Sequence, residues 1–156
     1  NRTISMSRKW FNNSTPKVDH SNHGNELKTK SLETCDMVKE YLNKNEFHNA
    51  CAAILDLASQ ANMYLNDMAP WKKIKDPMEL DNVKVIIYNV LETTRIIAIL
   101  LKPIIPNYSN LMLEQLSYTN EINNWNNHLI WGCLTENQEL NEPYPILVKL
   151  EESMEL

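Results

Sequence analysis

Apolar residues recur at helical spacing along three long stretches of the chain. From about Glu26 to Asn43 they fall three to four residues apart, a second series keeps the same period over residues 47–65, and a third covers residues 80–101. This period predicts three amphipathic helices, and the broad apolar side of the third predicts that it lies centrally. The apolar positions are Leu32, Cys35, Val38 and Leu42; then Phe47, Cys51, Ile54, Ala58, Ala61 and Leu65; then Leu80, Val83, Ile87, Val90, Leu91, Ile97, Leu100 and Leu101.

Capping residues and prolines predict where these helices begin and end. Asn45 is placed to cap the second helix, and Pro70 ends it. Asp76-Pro77-Met78-Glu79 supplies an Asp N-cap, a proline at the first position and an acid at the third, which is typical of a helix start. Lys102-Pro103 is predicted to end the third helix.

The rest of the chain is predicted to be shorter and less regular. Residues 2–13 read as the end of a helix, residues 12–25 as a loop, and residues 107–117 as a fourth short helix. Beyond them the period fades, and residues 146–150 read as an extended strap. With only two glycines the chain lacks the turns of an all-β fold. The expected fold is an all-α helix bundle with an irregular C-terminal arm, in one domain spanning 1–156.

Composition narrows the protein class. The chain has 156 residues, of which 43% are hydrophobic, which suffices for one packed core. No apolar run reaches the length of a membrane span. Its three cysteines, Cys35, Cys51 and Cys133, are scattered, which fits a reducing cytosol. Because the first residue is Asn1, we expect a piece of a larger protein.

The charge is unevenly distributed. The net charge is −5 overall, but +4 over residues 1–30 and −5 over residues 136–156. A second basic point, Lys72, Lys73 and Lys75, directly follows Trp71. An acidic protein with small basic patches is not a general binder of DNA or other polyanions, although the patches can steer one specific partner.

The sequence lacks the usual motifs of catalysis and metal binding. Gly24 and Gly132 are isolated, so there is no glycine-rich phosphate loop, and there is no Cys-x-x-Cys pair. His20 and His23 lie three apart without a thiolate or carboxylate cluster nearby, which does not favour a metal site. His48 and Cys51 share a helix face, where packing is the better interpretation. We therefore expect no catalytic residue, no metal and no cofactor within these residues.

Trp71 is the most informative position. It follows the helix-ending Pro70 and precedes three lysines, an arrangement that suits stacking on an unpaired base with phosphates close by. The alternative, equally weighted on the residues alone, is that Trp71 plugs the base of the bundle.

Several motifs together resemble the anticodon-binding domain of bacterial methionyl-tRNA synthetases. The similarity runs in order over nearly the whole chain. It comprises Asn1-Arg2-Thr3, Asn62-x-Tyr64-x-x-x-x-Ala69-Pro70-Trp71, Glu92-x-x-Arg95, Leu101-Lys102-Pro103-Ile104-Ile105-Pro106, Trp131-Gly132 and residues 145–151.

The resemblance implies a class I aminoacyl-tRNA synthetase that joins methionine to its tRNA with ATP and magnesium in the cytoplasm. It implies a helical domain that reads the CAU anticodon. Trp71 matches the tryptophan that stacks on the first anticodon base, and Arg2 an arginine that contacts the anticodon. Lys9 matches a frequently basic position, and Asn66 a position where relatives often carry an acid. The ATP-binding motifs would lie in a catalytic domain upstream.

Two rival interpretations stay open. One is the corresponding domain of a cysteinyl, isoleucyl, leucyl or valyl enzyme, against which the Ala-Pro-Trp turn argues. The other is a helical interaction module without an RNA role, for which Trp71 would be buried. Arg95, amid apolar neighbours, is expected to pair with a carboxylate such as Glu92 rather than to contact RNA. Trp10, Trp125 and Trp131 lack a basic run and are expected to be packing residues.

Overall fold

The structure, a computed structural model, describes residues 1–19 and 25–147. Within these residues the chain forms seven α-helices, one 3₁₀ turn and no β-strand, so the predicted all-α bundle is confirmed. The helices are α1 (Arg2–Trp10), α2 (Glu26–Asn43), α3 (Phe47–Met68), α4 (Pro70–Lys73), α5 (Leu80–Leu101), α6 (Pro106–Gln115) and α7 (Trp125–His128), and the 3₁₀ turn is Pro77–Glu79. None of the described helices has the length and apolar character needed to cross a bilayer.

Helix α5 is the central element, as its broad apolar side predicts. The six other α-helices all pack against α5. Of these six, α2 and α3 are long and the other four are short. Its side chains are buried around most of its circumference, although Leu80 at its first position is exposed. Asp76 caps the 3₁₀ turn Pro77–Glu79 that leads into α5, accepting a 2.9 Å hydrogen bond from the amide of Met78. The helix start predicted at this motif is thus a 3₁₀ turn, and α5 itself begins at Leu80 without a side-chain cap.

The predicted N-cap of α3 is wrong. Asn45 does not cap α3 but ends α2, with a left-handed φ of 59°. Its amide donates to the carbonyl of Leu42 and the amide of Glu46 donates to that of Tyr41, which together form a Schellman motif. Asparagine is one of the few residues that adopt this conformation readily, so the same residue that suggested a helix start serves as a helix stop.

The buried face of α3 also differs from the prediction. Phe47, expected on the apolar side, is 51% exposed, and Cys51 is half-buried. Ala50 and Leu57 are buried in their place, whereas Ile54, Ala61 and Leu65 are buried as predicted.

The two ends of the described chain meet. Helix α1 stops at Trp10, three residues before the predicted end, because Asn12 and Asn13 take left-handed backbone angles. The next residue, Ser14, forms an isolated antiparallel bridge with Glu139 of the C-terminal arm. The arm is irregular, as expected, but the predicted strap at residues 146–150 lies mostly outside the described residues. His20 and His23 also lie outside them.

The predicted pairing of Arg95 is confirmed. Arg95 and Glu92 are both fully buried in α5 and form an ion pair. Trp10, Trp125 and Trp131 are half-buried and pack against the core, as expected.

Candidate nucleic-acid interface

The junction between α3 and α4 determines where Trp71 lies. Ala69 takes left-handed angles (φ 42°, ψ 59°), which for a residue with a Cβ costs roughly 1–2 kcal/mol. Pro70 then starts α4, whose first position needs no amide hydrogen. The chain thus turns sharply within one residue, and Trp71 follows as the second residue of the new helix.

Trp71 is held from two sides. Its ring is half-buried and packs against the hydrophobic core. The guanidinium of Arg2 lies over the ring, with Cζ 4.4 Å from the ring centroid, which is the geometry of a cation–π contact. Core contacts and Arg2 therefore hold the ring together with the Ala69-Pro70 turn.

Asn66 completes the cluster. Its Oδ1 accepts a 3.1 Å hydrogen bond from Nη2 of Arg2, and both side chains are exposed. Asn66 lies in the last turn of α3, whereas Arg2 is the first residue of α1. Three of the four predicted site residues, Arg2, Asn66 and Trp71, are thus in contact. We call them the Trp71 cluster.

Lys9, the fourth predicted site residue, is exposed near the end of α1. Seven residues of helix place it roughly 10 Å along the axis from Arg2, on the same side of α1. The structure gives it no contact with the other three.

The lysines that follow Trp71 add positive charge. Lys72 and Lys75 are exposed and Lys73 is half-buried. None of the three is within ion-pair distance of a carboxylate of residues 1–19 or 25–147. Lys44, at the opposite end of α3, is by contrast paired with Glu40 at 2.5 Å.

A polar network near the cluster was not found by sequence reasoning. Asn89 of α5 donates a 3.3 Å hydrogen bond to the hydroxyl of Tyr64, and its Oδ1 accepts one of 2.8 Å from Asn25. Tyr64 had been noted only as part of a motif. Its pKa is raised by burial, so the hydroxyl stays protonated.

No group of three His, Cys, Asp or Glu side chains within the described residues is arranged to hold a metal ion. Arg, Asn, Trp and Lys side chains are suited instead to bind an anion or an aromatic base. Comparison with known proteins agrees with this chemistry. Residues 16–155 match the family model described as the anticodon binding domain of methionyl tRNA ligase.

The chain belongs to this family. Arg2 and Lys9 precede the first residue that the family model matches. Among its relatives, the methionine–tRNA ligase of Synechocystis sp. is 34% identical and aligns with 97% of this chain and 30% of its own length. The methionine–tRNA ligase of Caldanaerobacter subterraneus is 31% identical and aligns with 99% of this chain. The anticodon-binding domain therefore spans about a third or less of the curated relatives.

A solved structure supports the fold. The anticodon-binding domain superposes on the apo methionyl-tRNA synthetase of Mycobacterium tuberculosis with a TM-score of 0.85 and 21% identity. The superposition covers 96% of this chain and 30% of that one. At this identity the likeness establishes the helical architecture.

Proposed function

We propose that this anticodon-binding domain reads the CAU anticodon of the methionine tRNA through the Trp71 cluster and Lys9. The observation that carries the proposal is that Arg2, from the distant N-terminal helix α1, lies over the ring of Trp71 and donates a hydrogen bond to Asn66. An aromatic ring, a cation and an amide at one exposed place match what an unstacked base needs.

Each member has a separate task in this proposal. Trp71 stacks on the first anticodon base, which supplies affinity but little sequence discrimination, since every base has a π face. Arg2 supplies N–H donors and a positive charge to a base edge or a phosphate, and Asn66 takes part through its hydrogen bond to Arg2. Lys9, Lys72 and Lys75 are exposed cations and attract the phosphates of the loop.

The parent protein is proposed to be a methionine–tRNA ligase. The relatives carry that name, and one solved relative is described as bound by methionyl-adenylate. We infer that residues 1–156 act as one domain beside an upstream catalytic domain, which would use ATP with magnesium to join methionine to tRNA in the cytoplasm. We assign this chemistry to that other domain because the family model that residues 16–155 match describes an anticodon-binding domain.

Two rivals make different predictions. The family match does not favour a cysteinyl, isoleucyl, leucyl or valyl domain, which would read a different anticodon. A helical interaction module would need Trp71 only for packing. The half-burial of the ring is compatible with a packing role. Its stacking on an exposed cation, beside lysines without a carboxylate partner in residues 1–19 and 25–147, favours RNA binding.

Binding of short anticodon stem-loops tests the proposal. Fluorescence anisotropy at one fixed salt concentration compares a CAU loop with the same loop carrying a different first anticodon base. We expect the CAU loop to bind roughly tenfold or more tightly, since one well-read base edge is worth about 1–3 kcal/mol. Equal affinity for the two loops would contradict anticodon reading, and no binding at all would favour the interaction module.

A further inference from the structure

The hydrogen bond between Arg2 and Asn66 points to a specific task for Asn66. We propose that Asn66 is a positioning residue that holds the guanidinium of Arg2 against Trp71 without neutralising its charge. The inference rests on the proposed function, because the charge held in this way is the one that would meet the anticodon. It concerns how the free protein prepares the cation, which can be measured without RNA.

Arg2 needs such a restraint because of its position. It is the first residue of α1, its side chain is exposed, and the N-cap residue Asn1 makes no side-chain capping bond. A long side chain at an exposed helix end samples many rotamers, and a cation–π contact there is weak by itself. The ring of Trp71 fixes the distance of the guanidinium, and Oδ1 of Asn66, 3.1 Å from Nη2, fixes its rotation in the plane.

The chemical type of the restraint matters as much as its position. A carboxylate at this place would accept two charge-assisted hydrogen bonds from the guanidinium and cancel much of its charge. The carbonyl of Asn66 accepts one hydrogen bond and is neutral. Arginine has five N–H donors, and no other donor of Arg2 has an acceptor among the described residues. Four donors and the full charge therefore remain available to a base or a phosphate.

A double-mutant cycle separates positioning from direct contact. The affinity for the CAU stem-loop is measured for Asn66→Ala, Arg2→Ala and the double variant. We expect Asn66→Ala to weaken binding roughly 2- to 12-fold, the effect of ordering one long side chain on binding. In the Arg2→Ala background the same change should have an effect of less than about 2-fold, because Asn66 then has nothing to position. Equal weakening in both backgrounds would mean that Asn66 contacts the RNA directly and would overturn the proposal.

Asn66→Asp tests the requirement for a neutral acceptor. The carboxylate should keep Arg2 in place but neutralise the positive charge that Arg2 presents to the RNA. Binding should weaken, and the log–log slope of affinity against salt should become less negative by about 0.7, the contribution of one contact to a single strand. An unchanged or steeper slope would contradict the proposal. Asn49→Ala is the matched control, since Asn49 is exposed on the same helix roughly 25 Å away.

NMR of the free chain provides a readout that a purely structural role would not change. The Arg2 side-chain resonances should be shifted upfield by the ring current of Trp71. Asn66→Ala should move them toward their random-coil positions, whereas Asn66→Asp and Asn49→Ala should not. Resonances of Arg2 that stay shifted in Asn66→Ala would overturn the inference. This result would leave the proposed function intact, because the proposed function fails only if Trp71 and the loop sequence prove irrelevant to RNA binding.

Discussion

Glu92 and Arg95, one turn apart on α5, form a bidentate ion pair that is buried from solvent. Nε of Arg95 donates to Oε2 of Glu92 at 2.8 Å and Nη2 donates to Oε1 at 2.7 Å, and both residues are 0% exposed. The pair also holds the C-terminal arm. The carboxylate accepts three backbone amides and the guanidinium donates to two carbonyls, from Gly132, Cys133, Leu134, His128 and Ile130.

Replacing Glu92 should therefore destabilise the whole domain. We expect Glu92→Gln, which keeps the shape, to lower the free energy of unfolding by roughly 3–5 kcal/mol, since it leaves a buried guanidinium uncompensated. Urea titration followed by circular dichroism measures the change. The double variant Glu92→Gln/Arg95→Met removes both charges and should be more stable than Glu92→Gln alone. A loss below about 1 kcal/mol in the single variant would show that the pair does not fasten the arm.

Helix α2 is an element whose limits can be predicted from the local sequence alone. Its limits, Glu26 and Asn43, were predicted from the apolar period, and the structure confirms them. Asn25 caps its start by accepting a hydrogen bond from the amide of Lys28 at 3.1 Å.

Asn45 is a position where the same sequence signals predict the wrong structure. An asparagine between two helices suits both a start and a left-handed stop, and the hydrogen bonds of the preceding turn decide between them.

The contacts within the Trp71 cluster could not be predicted from periodicity. Arg2 and Asn66 are 64 residues apart. Helical spacing places each residue on a face of its own helix, but the packing of α1 and α3 on α5 decides which faces meet. Trp71 stands out by its own sequence context, whereas Arg2 and Asn66 were predicted through resemblance to a family. The bond between them, and the half-burial of Trp71, needed the tertiary structure.

The three cysteines should differ sharply in reactivity. Cys35 is 2% exposed, and burial raises its pKa from about 9 to about 11. At pH 8 roughly one in a thousand Cys35 side chains is the reactive thiolate. We expect iodoacetamide to label native Cys35 far more slowly than the half-buried Cys51 and Cys133, as measured by peptide mass spectrometry.

The pH dependence of the Cys35 thiol follows from the sign of its pKa shift. A raised pKa in the fold means that the folded state holds the proton more tightly than the unfolded state. The stability that this adds is complete below about pH 9 and is lost as the pH rises toward 11. Labelling of Cys35 should accelerate over that range, and in urea at pH 8 all three cysteines should react alike. Equal labelling in the native state at pH 8 would contradict the buried position of Cys35.

Salt should weaken RNA binding in proportion to the number of phosphates contacted. If Arg2, Lys72 and Lys75 each neutralise one phosphate, the log–log slope of affinity against salt should be near −2, at about −0.7 per phosphate for a single strand. Lys72→Ala or Lys75→Ala should each make it less negative by about 0.7. Lys44→Ala is the control, because Lys44 pairs with Glu40 at the far end of α3. A salt-independent affinity would rule out phosphate contacts.

Trp71→Ala should weaken both stability and RNA binding, each to a limited degree. A fully buried tryptophan is worth roughly 3–5 kcal/mol of stability, whereas most surface residues contribute within about 0.5 kcal/mol. Since Trp71 is half-buried and packs against the core, we expect a loss of roughly 1–3 kcal/mol in the free energy of unfolding. The binding free energy for the CAU stem-loop should weaken by about 1–3 kcal/mol, the value of one base stack. Arg2 also loses the ring on which its guanidinium lies.

Trp125→Ala separates these two effects. Trp125 is also half-buried, but its Nε1 donates to the carbonyl of Ile99, near the end of α5 remote from Trp71. We expect this variant to lose stability and to keep its RNA affinity when both proteins are compared well below their melting temperatures. In the full-length enzyme, Trp71→Ala should discriminate less against tRNAs with a wrong first anticodon base and should still activate methionine. If Trp71→Ala loses stability but binds the stem-loop as tightly as the unmodified chain, the ring is a packing element and the base-stacking role is wrong.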